Sequence, residues 1–241
     1  VDNRPGGNTV IGTEAMVKAP ADGYTLLSIL SSHVIVPNLA PTPYDVIRDF
    51  AAIATVSSTQ LVLVIHPSIP ARNLRDFIAF AKSRPGQLNY GSGGSGTVTH
   101  LAGELFKAAT NTNITHVPYK SAGFALTALL SSETQISFLS PVTAHTQLKA
   151  GRVRALAVSS KARFPGTPDI PSAAEAGIPG MDAQLWFGLF TTAKTPRAIV
   201  MKLNQEITEV LNKPDIRQML INQGAEAAPS TPEQLGDFVK S

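Results

Sequence analysis

A chain of 241 residues, 43% hydrophobic and 15% charged, has the length for one large domain or two lobes and a composition that excludes disorder. Its 20 basic and 17 acidic residues are spread without a Lys/Arg run, so the net charge of +3 points to small anions and a solvated surface, not to nucleic acid. The absence of cysteine excludes disulfides, thiolate metal sites and thiol catalysis, and no apolar run reaches the roughly 18 residues of a membrane span.

Residues 1–7 read as the tail of a strand entering a loop. With no signal peptide before Val1, a segment upstream is expected. Val10, Ile11, Ala15 and Met16 recur at helical spacing, so residues 8–18 are expected to form a short helix, stopped by Ala19-Pro20-Ala21-Asp22-Gly23. Residues 24–30 are a mostly apolar strand that ends in Ser31, Ser32 and His33. Polar groups at the carboxyl end of a strand are where open α/β sheets place ligands. After a proline-rich connection over 37–43, residues 60–66 form a second strand closed by Pro67.

From there helices and strands alternate. Asn73 caps a helix with Leu74, Phe77, Ile78 and Ala81 on one face, and Pro85-Gly86 ends it. A strand from Asn89 feeds a glycine-rich loop and then a helix over 98–109 that presents Leu101, Leu105 and Ala108. A strand over 114–117 ends in Pro118-Tyr119-Lys120-Ser121. A helix over 123–130, a strand over 135–139 meeting Ser140-Pro141, a helix over 142–149 stopped by Gly151, and a strand over 153–158 complete the series. Such alternation predicts a mainly parallel sheet. In the last third, Ser172 and Glu175 match a capping box for a short helix ended by Gly177, and residues 186–193 form an apolar strand. Thr195 and Pro196 start a long helix with Ile199, Val200, Leu203, Ile207, Val210 and Leu211 on one stripe. Thr231-Pro232-Glu233-Gln234 caps a final helix.

The candidate site is the loop Ser92-Gly93-Gly94-Ser95-Gly96-Thr97. Glycines allow positive φ, so successive amides can converge on one point, and the following helix adds its unpaired N-terminal donors. A carboxylate or phosphate would be held there. Gly91, Gly93 and Gly96 fit the dinucleotide fingerprint, but the next strand ends in Pro118-Tyr119-Lys120 with no acid for a ribose. A Walker loop is excluded because Thr97 follows Gly96, and a hydrolase elbow because Gly93-Gly94-Ser95-Gly96-Thr97 ends in Thr. Ser95 and His100 nevertheless keep a serine-dependent hydrolase with an oxyanion site open as an alternative. The five histidines show no ligand spacing, so neither metal nor cofactor is expected. Tyr119, Lys120, Ser140, Trp186 and Phe187 are the residues expected to shape the rest of the site.

Several stretches taken in order carry a resemblance: Asn3-Arg4-Pro5-Gly6, Ala21-Asp22-Gly23-Tyr24-Thr25-Leu26-Leu27, Leu88-Asn89-Tyr90-Gly91-Ser92 and His100-Leu101-Ala102-Gly103-Glu104-Leu105-Phe106. His116-Val117-Pro118-Tyr119-Lys120, Val153-Arg154-Ala155-Leu156-Ala157-Val158, Trp186-Phe187-Gly188 and Gln223-Gly224-Ala225-Glu226 continue it. From end to end the chain resembles the substrate-binding proteins of tripartite tricarboxylate transporters, the Bug family. The resemblance implies an α/β type II periplasmic binding protein of two lobes, each with a mainly parallel sheet flanked by helices. The two strands that join the lobes would fall near Ile65-His66-Pro67 and Trp186-Phe187-Gly188. Lobe 1 would be residues 1–66 plus 188–241 and lobe 2 residues 67–187.

Such a receptor would be a periplasmic monomer that captures a small organic carboxylate and delivers it to membrane permease subunits, without catalysis. A ligand sensor for a membrane signalling partner would share every cleft residue. In the family one carboxylate is held by amides and waters from two facing loops. One corresponds to residues 92–97, and the other is expected before Val1 together with the first strand. Two departures bear on specificity. Leu139-Ser140 stands where the family often has an acid or amide, which argues against amino acids, and Ser121 replaces a glycine.

Overall fold

The computed structural model describes residues 1–4 and 9–241; Pro5 and Gly6 of the resemblance and Asn8, the expected start of the first helix, lie outside the described residues. Helix α1 (Val10–Val17) leads to β1 (Leu27–Leu30), and a short helix α2 (Ser32–Ile35) continues into a 3-10 turn, Val36–Asn38. Strands β2 (Phe50–Gln60) and β3 (Val62–Ile65) follow, then α3 (Leu74–Lys82), β4 (Asn89–Ser92), α4 (Val98–Thr110) and β5 (Thr115–Pro118). Next come α5 (Ala122–Leu130), β6 (Ile136–Leu139), α6 (Pro141–Lys149) and β7 (Arg154–Val158). Strand β8 (Gln184–Thr192), helices α7 (Arg197–Leu211) and α8 (Pro214–Asn222), β9 (Glu226–Ala227) and α9 (Pro232–Lys240) complete the chain.

The chain divides into two units. Unit 1 is Val1–Ser58, Trp186–Ile221 and Glu226–Ser241, and unit 2 is Thr59–Leu185 and Asn222–Ala225. In unit 1 the strand order is β1-β8-β2-β9, with β1 antiparallel to β8 and β2 antiparallel to β9. Met16, Ile29, Tyr44, Phe50, Trp186, Phe190 and Leu235 form one core cluster. Ile53, Ala54 and Val200 form another, against which Leu203 and Ile207 of α7 pack. Helix α9 starts with a reciprocal capping box: Gln234 N–H donates to Thr231 Oγ1 at 3.1 Å and Thr231 N–H to Gln234 Oε1 at 2.9 Å.

In unit 2 the order is β5-β4-β6-β3-β7. Strand β4 runs parallel to both β5 and β6, whereas β3 is antiparallel to β6 and to β7. The sheet of unit 2 is therefore mixed, and β1–β8 and β2–β9 of unit 1 are antiparallel pairs, so the sheets are not mainly parallel. Helical crossovers make β4, β5 and β6 parallel, but β3 reaches the sheet directly from β2 and inserts the other way round. All four β3 residues are buried, as a central strand covered on both faces requires.

Local signals held where their causes are local. Asn73 accepts the Asp76 amide at 2.9 Å as the N-cap of α3, and Leu74, Phe77 and Ala81 are buried. Three readings are corrected. The longest strand, β2, covers residues 50–59, for which the sequence reading has no element, and ends on Gln60, the expected start of the second strand. Ser172 and Glu175 do exchange capping-box bonds, at 2.9 and 3.1 Å, but over a turn and not a helix. Helix α4 buries Val98, Thr99, Ala102, Gly103, Phe106 and Thr110, leaving Leu101 37% exposed. Its inner face is set by Gly103, where a Cβ would overlap the Tyr90 ring.

Candidate functional site

Because β5, β4 and β6 are parallel neighbours, their carboxyl ends, Pro118, Ser92 and Leu139, lie side by side at strand spacing, about 4.8 Å. Each strand leads into the start of a helix. The N-caps are Thr97 for α4, Ser121 for α5 and Ser140 for α6. The glycine loop lies against the start of α5, since a Cβ on Gly93 would stand 3.1 Å from the Ala122 amide nitrogen. Gly94 and Gly96 have φ of 126° and 80°, conformations that a side chain would strain.

The loop amides do not converge on open space. Gly93 N–H donates to Thr99 Oγ1 at 3.0 Å, Gly94 N–H to Ser92 Oγ at 3.2 Å, Gly96 N–H to His100 Nδ1 at 3.2 Å and Thr97 N–H to Gly94 O at 3.3 Å. Thr97 Oγ1 donates to Gly94 O at 2.7 Å and accepts the His100 amide at 3.3 Å, which closes the loop and caps α4. The loop is thus a brace for helix starts. Ser121 and Ser140, the N-caps of α5 and α6, make no side-chain cap bond. These helix starts, with their positive dipole ends, are the donors left for an anion.

Beneath the loop is a three-ring stack. Tyr90 and His116 lie 4.7 Å apart between centroids, and His116 and His100 lie 4.1 Å apart, each pair tilted 26°. Burial, followed by the neighbouring His100 ring, holds His116 down to about 4, so its ring is neutral. Its Nε2 is 2.6 Å from Ser92 Oγ. A serine–histidine bond of this length resembles a catalytic pair, but Ser92 is fully buried and its oxygen already takes the Gly94 amide. Tyr90 donates its hydroxyl to Glu104 at 2.6 Å, and burial together with that carboxylate raises the phenol well above its usual range. Burial works to raise Glu104, but Lys107, at 2.8 Å, and the Tyr90 hydroxyl outweigh it and leave the carboxyl lowered.

Around this edge Tyr119 donates its amide to Ser92 O at 3.0 Å and its hydroxyl to Glu133 at 2.9 Å. Burial and Glu133 push its phenol up to about 12. Ser140 Oγ is 2.8 Å from Thr143 Oγ1, Ser95 is exposed, and Lys120 is exposed with no ion-pair partner among the described residues. Unit 2 thus brings Ser92, Gly93, Gly94, Ser95, Gly96, Thr97, Tyr119, Lys120 and Ser140 to one edge of its sheet.

In unit 1 the expected residues are mostly packed inside. Ser31 Oγ accepts the Trp186 amide at 3.3 Å, Ser32 is buried at the start of α2, and Trp186 meets Phe238 edge-on at 5.5 Å. His33 has no exposed surface and lies among Tyr44, Phe50 and Phe190 with neither ring nitrogen bonded, and burial lowers it to about 4. Phe187, paired with Leu30, keeps part of its surface accessible. The Tyr90–His116–His100 stack escaped the sequence reading. Its one signal was a glycine at position 103 within a helical pattern.

Across residues 1–241 the chain matches the receptor family of tripartite tricarboxylate transporters, TctC. It belongs to that family. BugT of Bordetella pertussis is 34% identical over 242 residues, which cover 99% of this chain and 74% of BugT. Rpa4515 of R. palustris, solved with adipate, is 31% identical at a TM-score of 0.94, over 99% of this chain and 81% of that one. MatC (Rpa3494) from Rhodopseudomonas palustris, solved with bound malate, is 28% identical at a TM-score of 0.86, over 98% and 82%. The TctC fold is the two-lobed α/β fold of periplasmic binding proteins, as expected. The family is one of solute receptors and not of enzymes, so the Ser95–His100 hydrolase alternative falls. No helix among the described residues is long and apolar enough to cross a membrane.

Proposed function

We propose that this TctC-family chain is a periplasmic receptor that captures a small organic carboxylate and passes it, unaltered, to the membrane subunits of a tripartite transporter. The anionic end is held at the carboxyl edge of β5, β4 and β6. The observation that carries this reading is the meeting of three helix starts at one sheet edge, two of them without side-chain caps. Residues 92–99, 118–123 and 139–143 contain no Asp or Glu and one cation, Lys120, so an ammonium finds no counter-charge there and a second carboxylate does. Charge distribution favours the same unit: eleven basic against six acidic residues in unit 2, and nine against eleven in unit 1. The adipate and malate of two neighbours set the class to test first.

Titration calorimetry with adipate, malate and glutamate tests the proposal. The expected result is saturable binding of a plain carboxylate, recovered chemically unchanged, with glutamate the weakest. Glutamate binding in preference to both others, or turnover of any ligand, would overturn it. The receptor acts as a single chain, for which sedimentation velocity is the check.

A further inference from the structure

We propose that His100, stacked on His116, is a positioning residue that holds the glycine loop in its binding shape only while its Nδ1 carries no proton, so that solute capture weakens on acidification. This rests on the receptor reading above. Gly96 N–H points at His100 Nδ1 from 3.2 Å, which requires that nitrogen to be unprotonated and, in the neutral ring, puts the proton on Nε2. Gly94 N–H is taken by Ser92 Oγ at 3.2 Å, and Ser92 Oγ is in turn 2.6 Å from His116 Nε2. Each of the loop's two positive-φ glycines is therefore held by one histidine, Gly96 directly and Gly94 through a hydroxyl.

A proton on His100 Nδ1 turns the acceptor into a donor facing another donor, and the Gly96 bond is lost. The stack offers little to offset this. His116, 4.1 Å away on β5, is neutral and brings no charge to compensate a proton on His100. From β4 the neighbour is Tyr90, whose hydroxyl is given to Glu104. On α4 itself the Glu104 carboxylate attracts a proton on His100, but it is shared with Lys107 at 2.8 and 2.9 Å and with the Tyr90 hydroxyl. Among the described residues these are the titratable and charged groups facing the two rings.

The test follows the imidazole nitrogens and the Gly96 amide by NMR in the ligand-free chain from about pH 8 to about pH 5.5, with adipate calorimetry over the same range. The expected result is an unprotonated His100 Nδ1 at the upper end and a Gly96 amide whose shift follows the His100 titration. Adipate affinity should fall roughly threefold to tenfold, the change carried by one ordinary hydrogen bond. His100→Asn keeps an acceptor near the Nδ1 position without a titrating proton, so it should lack this step, while the protonation of adipate itself is common to both proteins. A Gly96 amide indifferent to His100, or an affinity that rises on acidification relative to His100→Asn, would overturn the proposal. The wild-type spectra decide this even if the variant does not fold. A chain that binds neither adipate nor malate while Gly96 still tracks His100 supports the loop tie and sinks the receptor reading instead.

Discussion

His33 in unit 1 and His116 in unit 2 are both held to about 4, with burial the leading cause in each. Their surroundings differ. His33 is enclosed by Tyr44, Phe50 and Phe190, with neither nitrogen bonded, so the cost of burying its polar atoms is uncompensated. His116 stacks between Tyr90 and His100 and bonds Ser92, so its burial is coupled to the shape of the glycine loop. Similar shifts thus arise from a ring that only fills space in a core and from one that ties strand, loop and helix together.

The pH dependence tests both at once and carries the largest effect. An unfolded histidine binds its proton near pH 6.5 and these two near 4, so between those values the unfolded chain holds more protons. Stability is full above about pH 6.5 and is lost as pH falls toward 4. For His33, fully buried, the loss is on the order of 3 kcal/mol. Urea midpoints measured across this window should show a flatter slope in His33→Leu, and an unchanged slope would remove His33 from the account.

Gly103→Ala attacks the second histidine's setting. The new methyl overlaps the Tyr90 ring and displaces the stack, at a cost of about 2 to 3 kcal/mol in urea unfolding. The His116 ring resonances should move with it; if they stay in place, Tyr90 is not what fixes the stack.

Leucine substitutions at neutral pH set the two histidines against each other. His33→Leu removes unsatisfied nitrogens and should leave stability unchanged or raise it by about 1 kcal/mol. His116→Leu deprives Ser92 of a partner and should lower it by about 1 to 2 kcal/mol. Equal signs for the two would erase the contrast.

The smallest effects come from the caps. Thr97→Ala and Thr231→Ala each remove an N-cap, worth about 1 kcal/mol in thermal unfolding. They should part company in calorimetry, since Thr97 also holds Gly94 O and adipate affinity should fall there and not for Thr231.

Much of the helical framework was legible because its causes lie within four residues. The Asn73 cap, the Thr231 capping box and the Gly151 stop all acted as read. The Ser172 box was legible as hydrogen bonds but not as a helix, because Gly177 turns into positive φ within one turn and Ser172 bridges Val158. Strand β2 escaped notice because its burial does not alternate as the chain passes from one unit into the other. On α4 the large side chains suggested Leu101 as inward. The true inner face has a glycine, chosen by a ring 13 positions earlier.

By itself the sequence determined the family, the order of helices and strands through the middle of the chain, and the place of the candidate site at a strand-to-helix junction rich in glycine and hydroxyls. Tertiary structure alone decided that β3 runs against its neighbours, that His33 lies in a core, and that the loop amides turn inward. The reason is that an amide takes whichever acceptor the fold brings near. The acceptors here are fixed by rings on separate elements: His100 Nδ1 is set by its stack on His116, and His116 reaches Ser92 across 24 residues of chain. Glycine content permits a loop to point its donors either way, and packing chooses.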